Sequence, residues 1–347
     1  MTDLSNFNPD SAGNPNYNIF GLPFTEETAR LIILPVPWEV TVSYGAGTAR
    51  ASSHIFTASM QVDLFDFNSP DGWKQGFYML PIDKKIQMKS DYLRREAELY
   101  IDYISKGEKV EDNQFMIKTL KEVNEGSGFL NNWVYEQTKR LLDNGKLVGL
   151  LGGDHSTPLG FFKAIAEKHG NFGILQIDAH FDMRVAYEGF IYSHASIMYN
   201  ALNEIPQIVK LVQVGIRDFS EGELKFASDN SSRIISFFDR DIKERMYEGE
   251  TWKQLVDSIV FSLPNHIFIS FDVDGLDPKL CPNTGTPVQS GLEIEQVYYL
   301  FKTILKSGKK IIGFDLCETG ISETDWDANV SARILFKLCN LLIASNS

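Results

Sequence analysis

The sequence ILQIDAHFD, residues 174–182, joins an apolar run to three residues that can ligate metal ions. The run begins at Phe172, and its lack of alternation is typical of a strand buried on both faces, as in a parallel sheet. Asp178, His180 and Asp182 follow at alternate positions, so in an extended chain their side chains share one face. Because open α/β sheets bind ligands outside the carboxyl ends of their strands, we expect a site at this point.

Similar apolar runs recur along the chain, with longer amphipathic stretches between them. The seven runs are Leu31–Val36, Leu147–Leu151, Phe172–Ile177, Ile208–Val214, Ile234–Phe237, Ile267–Phe271 and Lys310–Phe314. Two of the stretches between them, Thr157–His169 and Leu292–Ser307, have apolar residues at helical spacing. This βαβα order predicts a three-layer α/β/α fold with a mostly parallel sheet.

The chain shows no convincing linker, and we expect residues 1–347 to form a single domain. An irregular arm rich in Asn, Pro, Ser and Gly occupies about residues 1–25. A polar segment at about residues 64–128 is predicted to form helices and loops that cover one edge of the sheet.

The bulk composition excludes several classes of protein. The formal charge of −13, without a basic run, argues against a nucleic-acid partner, which would require clustered Lys and Arg. No run of 18 apolar residues spans a membrane. The N-terminus does not resemble a signal peptide, and the three widely spaced cysteines indicate neither a disulfide framework nor a zinc ribbon. We therefore expect a cytoplasmic protein.

Two further predicted strands end in motifs of the same kind, GGDHS at residues 152–156 and FDVDGLDP at residues 271–278. Asp272 and Asp274 stand at alternate positions, as Asp178, His180 and Asp182 do, and His155 adds an imidazole. Carboxylates buried close together are strongly unfavourable unless cations neutralise them.

The number and type of these groups predict a metal site. Four carboxylates and two imidazoles exceed the needs of one ion, and shared carboxylates suit two ions about 3.5–4 Å apart. Oxygen and nitrogen ligands without thiolate favour Mn²⁺, with Fe, Co, Ni or Zn as alternatives. We do not expect Asp154 or Asp277 to be ligands, because both suit turns.

The motifs GGDHS, DAHFD and SFDVDGLDP, in this order, resemble the signature blocks of the ureohydrolase family, which includes arginase, agmatinase and formimidoylglutamase. The resemblance extends from about Ile33 to Asn340. It implies a roughly eight-stranded sheet and a homo-oligomer, either a trimer or a hexamer. It also implies metal-dependent hydrolysis of a guanidino compound that releases urea and an amine.

By this resemblance, two Mn²⁺ ions bind side by side, and a hydroxide between them is the nucleophile. The implied assignment is His155 and Asp182 for one ion, His180 and Asp274 for the other, with Asp178 and Asp272 bridging and Asp182 also orienting the hydroxide.

Two more residues match the family pattern. His194, in IYSHAS, falls where the family has a histidine that passes protons to the leaving amine. Glu318, in GFDLCETG, matches the glutamate that pairs with the substrate guanidinium, a planar group suited to bidentate bonding. Asp315 and Glu323 are nearby competitors for that role.

The substrate is less clearly indicated, and candidate contacts besides Glu318 are Arg184, Ser220 and Glu223. Ser220 stands where arginases have an aspartate, and Arg184 replaces an asparagine, which disfavours a standard arginine pocket. Agmatine or arginine is expected, with agmatine slightly ahead. The alternative is a formimidoylglutamase acting on N-formimino-glutamate, in which Arg184 attracts a dicarboxylate. A non-catalytic metal-binding protein is a third interpretation.

Overall fold

The computed structural model describes residue 2 and residues 4–347, and in this part of the chain eight strands form one sheet. The strands are β1 Leu31–Pro35, β2 Phe77–Met79, β3 Leu147–Leu151, β4 Phe172–Ile177, β5 Ile208–Ile216, β6 Ile234–Phe238, β7 His266–Asp272 and β8 Lys310–Cys317. Their order across the sheet is β2-β1-β3-β8-β7-β4-β5-β6. Every neighbouring pair is parallel.

Ten α-helices are found in the described residues, and they cover the sheet. They are α1 Ala51–Ser59, α2 Lys84–Ser105, α3 Gln114–Asp143, α4 Leu159–His169, α5 Ile197–Glu204, α6 Glu221–Asp229, α7 Asp239–Tyr247, α8 Trp252–Ser262, α9 Ile294–Lys306 and α10 Trp326–Ala344. Helices α2 to α5 contact one another in series, and α8, α9, α10 and α1 form a second series. Both series reach β8, one through α4 and the other through α10.

This architecture confirms the predicted three-layer α/β fold, and the sheet is parallel throughout. All seven apolar runs form strands, and every residue of β1 and β4 is buried. The eighth strand, β2, lies inside the segment at residues 64–128, for which helices and loops were predicted. It has only three residues and pairs only with β1, so it is too short to show a period in the sequence.

The N-terminal arm is irregular apart from a short 3₁₀ turn at Ile19–Gly21. Ile19, Phe20 and Leu22 are nonetheless buried in the hydrophobic core. Met1 and Asp3, which belong to the same predicted arm, lie outside the described residues. Among the helices described, none has the length and apolarity needed to cross a membrane.

The strand order explains where a site can form. Strands β3, β8, β7 and β4 are adjacent at the centre of the sheet, and all point the same way. Their carboxyl ends therefore meet at one edge, although β4 follows β3 directly along the chain and β7 and β8 come much later. The change in strand order between β3 and β4 is a topological switch point, where α/β sheets bind ligands.

Candidate metal centre

The imidazole of His155, in the turn after β3, faces three buried carboxylates. Its Nδ1 atom lies 3.0 Å from a carboxylate oxygen of Asp178, 3.1 Å from one of Asp182 and 3.3 Å from one of Asp272. These side chains come from three different segments, the loops after β3 and β4 and the end of β7. The fold therefore brings together residues that are more than a hundred positions apart in the sequence.

A hydrogen-bond chain fixes which nitrogen of His155 faces the carboxylates. The Nε2 atom lies 2.9 Å from the hydroxyl of Ser270, and this hydroxyl donates its proton to the Asp315 carboxylate at 2.9 Å. Because a hydroxyl has one proton, Ser270 must accept from Nε2–H. Burial lowers the pKa of His155, but the carboxylates of Asp178, Asp182 and Asp272 outweigh it and hold the pKa well above its ordinary range. A metal ion bound at Nδ1 would therefore take the place of a proton.

A second group of donors surrounds His180. Its Nδ1 atom lies 2.9 Å from a carboxylate oxygen of Asp274 and 3.7 Å from Oδ1 of Asp178. The other oxygen of Asp178, Oδ2, faces His155. Asp178 therefore belongs to both groups, and a shared carboxylate suits two neighbouring ions.

The chemistry of this donor set fits metal ions. Nδ1 of His155 is buried and makes no hydrogen bond. Burial raises the pKa of Asp182 to about 7 and holds the pKa of Asp272 well above its ordinary range, and the neighbouring carboxylates add to both effects. The crowded negative charge therefore requires either protons or cations to offset it.

The two acidic loops approach each other closely. The backbone N–H of Ala179 donates to the Asp274 carboxylate at 2.9 Å, and the backbone N–H of Asp274 donates to Asp272 at 2.8 Å. Gly275 allows this approach, because a Cβ atom at that position would lie 2.6 Å from the backbone nitrogen of Asp178. The glycine of the DVDG motif is therefore explained by packing between the loops.

Arg217, at the end of β5, holds the loop after β7 in place. Its Nη2 atom donates to the backbone carbonyls of Asp274, Leu276 and Val288 at 2.6, 3.1 and 2.9 Å. A guanidinium is well suited to this role because it has several donors in a fixed plane. Sequence reasoning did not single out Arg217.

Two residues of the site have left-handed backbone angles that side chains rarely adopt. Asp182 has φ 54° and Glu318 has φ 62°. The carbonyl of Asp182 accepts from the backbone N–H of Met198 at 3.0 Å, and the N–H of Glu318 donates to Gly153 at 2.9 Å. Strained backbone of this kind is concentrated at functional sites, where the surrounding structure maintains it.

All of the donors except Asp178 line a cavity of about 200 Å³, which Glu318 and His194 also line. Glu318 is buried and accepts from the backbone N–H of His155 at 2.9 Å. Burial, together with the nearby charge of Asp154, raises its pKa well above the usual range. For His194, burial and the positive charge of His180 lower the pKa to about 4, so its ring is neutral at neutral pH.

The specificity candidates lie on another wall of this cavity. Arg184, Tyr187 and Glu223 line it, whereas Ser220 is not among the lining residues. The Arg184 guanidinium lies over the Tyr187 ring at 4.8 Å, and its Nε is 3.7 Å from the Glu223 carboxylate. Ser220 caps α6 and exchanges hydrogen bonds with Glu223. The role of Ser220 as a substrate contact stays a prediction.

The other acids named from the sequence lie elsewhere. Asp315 is buried within the sheet, where it accepts from Ser270, and Glu323 is exposed. Asp154 accepts from the backbone and hydroxyl of Ser156, as expected of a turn residue. Of the three acids considered for the guanidinium, Glu318, Asp315 and Glu323, it is Glu318 that lines the cavity.

Sequence reasoning missed a line of five polar side chains that crosses the otherwise apolar sheet. We call them the polar row, and they are register partners on adjacent strands: Asp315 on β8, Ser270 on β7, Gln176 on β4, Gln213 on β5 and Ser236 on β6. Four of them interrupt an apolar run and Asp315 directly follows one, which is the signal that could have identified the row. Asp218, an exposed residue at the cavity, was also missed.

Comparison with known proteins agrees with this arrangement. The model of the arginase family matches residues 29–342, and the chain belongs to that family, the ureohydrolases that its motifs resemble. The N(1)-aminopropylagmatine ureohydrolase of Thermococcus kodakarensis is 30% identical over 312 residues, which cover 89% of this chain and 90% of that protein. The enzyme of the same name from Thermus thermophilus is 29% identical over 84% of this chain and 83% of its own length.

Solved structures show the same fold at lower identity. Proclavaminate amidino hydrolase from Streptomyces clavuligerus has a TM-score of 0.71 at 19% identity, with 97% of this chain and 100% of that chain covered. The agmatine ureohydrolase of Thermoplasma volcanium has a TM-score of 0.69 at 21% identity, with 93% and 91% covered. The two structures support the arginase-type three-layer architecture.

Proposed function

We propose that this protein is a two-metal hydrolase that releases urea from a cationic guanidino compound of the agmatine type. The observation that carries the proposal is the position of Asp178, whose two carboxylate oxygens face the imidazoles of His155 and His180 separately. Membership of the arginase family supports the same activity.

The metal ligands in this proposal are His155, Asp178, His180, Asp182, Asp272 and Asp274. Bound Mn²⁺ ions would lower the pKa of water towards neutrality and so supply a hydroxide as nucleophile. Fe, Co, Ni and Zn fit the same oxygen and nitrogen donors. The carboxylate of Asp182, held by its left-handed backbone, orients the attacking oxygen towards the substrate carbon.

Glu318 is proposed to bind the guanidinium. It reaches the cavity beside the metal donors, and its carboxylate is held by the backbone N–H of His155. Its raised pKa reflects an unpaired buried charge, which a cationic guanidinium would compensate. Two parallel N–H bonds from the planar guanidinium to Glu318 would place its carbon near the donors.

His194 is proposed to deliver the proton that the leaving amine requires. It lines the same cavity, and its neutral ring can take a proton and pass it on. The hydroxyl of Thr41 lies 3.5 Å from its Nδ1, leaving Nε2 as the atom for exchange with substrate. General acid catalysis of this kind contributes about 10²–10⁴-fold in rate.

The cavity wall favours a substrate whose tail is positively charged. Six carboxylates line the cavity, and once Asp182, Asp272, Asp274 and Glu318 are assigned to the metal ions and the guanidinium, Asp218 and Glu223 are left for the tail. In the described part of the chain, Arg184 is the one Arg or Lys among the lining residues. The α-carboxylate of arginine would be repelled by Asp218 and Glu223. We therefore favour agmatine, or N(1)-aminopropylagmatine, the longer amine in the names of the two relatives.

Arg184 is the observation that favours the second candidate, hydrolysis of N-formimino-glutamate, because it could attract a dicarboxylate. Its guanidinium, however, already contacts Glu223 and Tyr187. These contacts reduce its availability to an anionic tail, so this activity ranks second.

Urea release by the Mn²⁺-loaded protein tests the proposal. The panel is agmatine, N(1)-aminopropylagmatine, arginine, guanidinobutyrate and guanidine, with formiminoglutamate run alongside. We expect urea from agmatine or its aminopropyl derivative. Turnover of formiminoglutamate alone would replace the proposal by its alternative. If metal binds and no compound reacts, a non-catalytic role is favoured.

Asp178→Asn is the matched site variant. It keeps the shape of the side chain but removes the charge shared between the two donor groups, so we expect loss of metal and of nearly all urea release. Metal content by elemental analysis and the urea assay check this. Two bound ions and an unchanged rate in Asp178→Asn would show that the site is assigned to the wrong residues.

A further inference from the structure

Three members of the polar row, Gln176, Gln213 and Ser236, form a continuous hydrogen-bonded chain that ends on a proposed ligand. The Ser236 hydroxyl donates to Oε1 of Gln213 at 2.9 Å, and Nε2 of Gln213 donates to Oε1 of Gln176 at 2.7 Å. Nε2 of Gln176 then donates to Oδ2 of Asp178 at 2.8 Å. We call these three residues the amide chain.

The direction of the amide chain is fixed by its neighbours. The amide nitrogen of Gln213 also lies 3.2 Å from the backbone carbonyl of Phe181, and that of Gln176 lies 3.4 Å from the carbonyl of His180. Carbonyl oxygens only accept, so both amides must place their NH₂ groups towards the loop. Every donor therefore points towards Asp178 and the loop that follows it.

Burying these two amides inside the sheet costs free energy, so their presence requires an explanation. Gln176 and Gln213 are both fully buried, in strands β4 and β5, where the other buried residues are apolar. The hydrogen bonds of a buried amide replace bonds to water, so they add little net stability to offset the cost of burying the group. Apolar residues at both positions would serve a purely structural sheet at least as well.

We propose that the amide chain is a positioning device for the metal centre. It orients the Asp178 carboxylate, so that one oxygen faces each imidazole, and it grips the backbone at His180 and Phe181, which places the next ligand, Asp182. Gln176 and Gln213 act through Asp178 and the loop, and neither lines the cavity. The inference rests on the proposed metal site.

The test uses side chains of similar volume without amide groups, Gln176→Met and Gln213→Met, in the full chain. Metal-depleted protein is titrated with Mn²⁺ in a calorimeter, and thermal unfolding of the metal-free form is recorded for each variant. Loss of a residue that supports a metal ligand typically weakens metal binding about 10–100-fold, and we expect a loss in that range for Gln176→Met. Gln213→Met keeps the donor to Asp178, so its loss is smaller, and that of Ser236→Ala is smaller still.

Asn340→Leu is the control, because Asn340 is a buried amide on α10 outside the cavity lining. It removes a buried amide that contacts none of the proposed ligands, so Mn²⁺ affinity is expected to stay unchanged whatever the effect on stability. A loss of Mn²⁺ affinity that decreases from Gln176→Met to Gln213→Met to Ser236→Ala supports the inference. If Gln176→Met does not fold, the order of the other two variants still tests it.

Two results would overturn it. If Gln176→Met and Gln213→Met bind Mn²⁺ as tightly as the unaltered protein and the control, the amide chain is only structural while the metal site stands. If the unaltered protein binds no Mn²⁺, the proposed function fails together with the inference. The Co²⁺ absorption spectrum of Gln176→Met gives a second readout, because a displaced carboxylate alters the bands and a distant packing defect does not.

Discussion

At His155, the direction of one hydroxyl proton decides which ring nitrogen faces the cavity. Ser270 donates to Asp315 and therefore accepts from Nε2, which leaves Nδ1 for the carboxylates. The three residues come from the turn after β3 and from strands β7 and β8. No local stretch of sequence contains this relationship, so only the folded chain shows it.

The metal-ligand candidates could be predicted because each motif is contiguous and follows an apolar strand. The surroundings of Arg184 could not, because its contact with Glu223 depends on how the loop after β4 lies against α6. Ser220 illustrates the same difficulty. Its sequence position suggests a substrate contact, whereas its side chain is used in capping α6.

We predict that His194→Ala retains both metal ions and slows turnover by about 10²–10⁴-fold, the usual contribution of a general acid. The ring lines the cavity but is not in either donor group. Steady-state urea release and metal analysis on the same preparation would show this. A variant with unchanged kcat would exclude His194 as the proton donor.

Among the secondary-structure elements, the helices α3 and α4 show how one position controls packing. Gly160 on α4 faces α3 so closely that a Cβ atom would lie 2.1 Å from the carbonyl oxygen of Asn131 and 2.7 Å from the nitrogen of Tyr135. The contacting atoms are backbone and cannot rotate away. A glycine is therefore required at this point of the interface.

Gly160→Ala is predicted to lower the free energy of unfolding by about 1–3 kcal/mol, the usual cost of overpacking. Gly128→Ala on α3 is the matched control, because its Cβ would meet only the Tyr192 ring, at 3.8 Å. There, the higher helix propensity of alanine should raise stability by about 0.5–1 kcal/mol. Urea denaturation of both variants checks the opposite signs, and equal effects would contradict this account.

The pKa of His169, at the end of α4, differs from what the helix dipole alone predicts. A positive histidine is favoured at a helix C-terminus, where His169 lies. Burial nevertheless lowers the pKa of His169 to about 4, with further contributions from His266, Lys310 and Lys168. Desolvation and positive neighbours outweigh the helix dipole here.

This pKa predicts how stability depends on pH. In the unfolded chain His169 takes up a proton near pH 6.5, whereas in the folded protein it resists protonation until about pH 4. The unfolding free energy therefore falls as the pH drops from 6.5 towards 4. His169→Gln should lose less stability than the unaltered chain between pH 7 and pH 5 in urea denaturation. An identical loss in both proteins would show that His169 does not contribute.

The fold class was predictable from the apolar runs because buried parallel strands differ in sequence from amphipathic helices. The order of the strands across the sheet was not predictable, because the sequence of an apolar run does not determine which strands it pairs with. The trimer or hexamer implied by the family resemblance also stays a prediction. Light scattering of the purified protein would measure it.

For the molecule as a whole, metal removal is predicted to lower thermal stability. An ion that binds only the folded chain adds about 2.7 kcal/mol per site at a free concentration 100 times its Kd. A chelator should therefore lower Tm by several degrees in calorimetry. Asp178→Asn is the control, because its Tm should not respond to the chelator. An unaltered protein with the same Tm in both conditions would show that the ions do not stabilise the fold.

The two central strands, β7 and β8, come last in the chain but lie between β3 and β4. A nascent chain that has released only β1 to β6 therefore holds two separate three-stranded halves, β2-β1-β3 and β4-β5-β6. Each half leaves one long apolar edge unpaired, which invites aggregation until the C-terminal third arrives to join them. Asp272, Asp274 and Glu318 arrive with these strands, so neither the sheet nor the proposed metal site can be completed before the last two strands have been made.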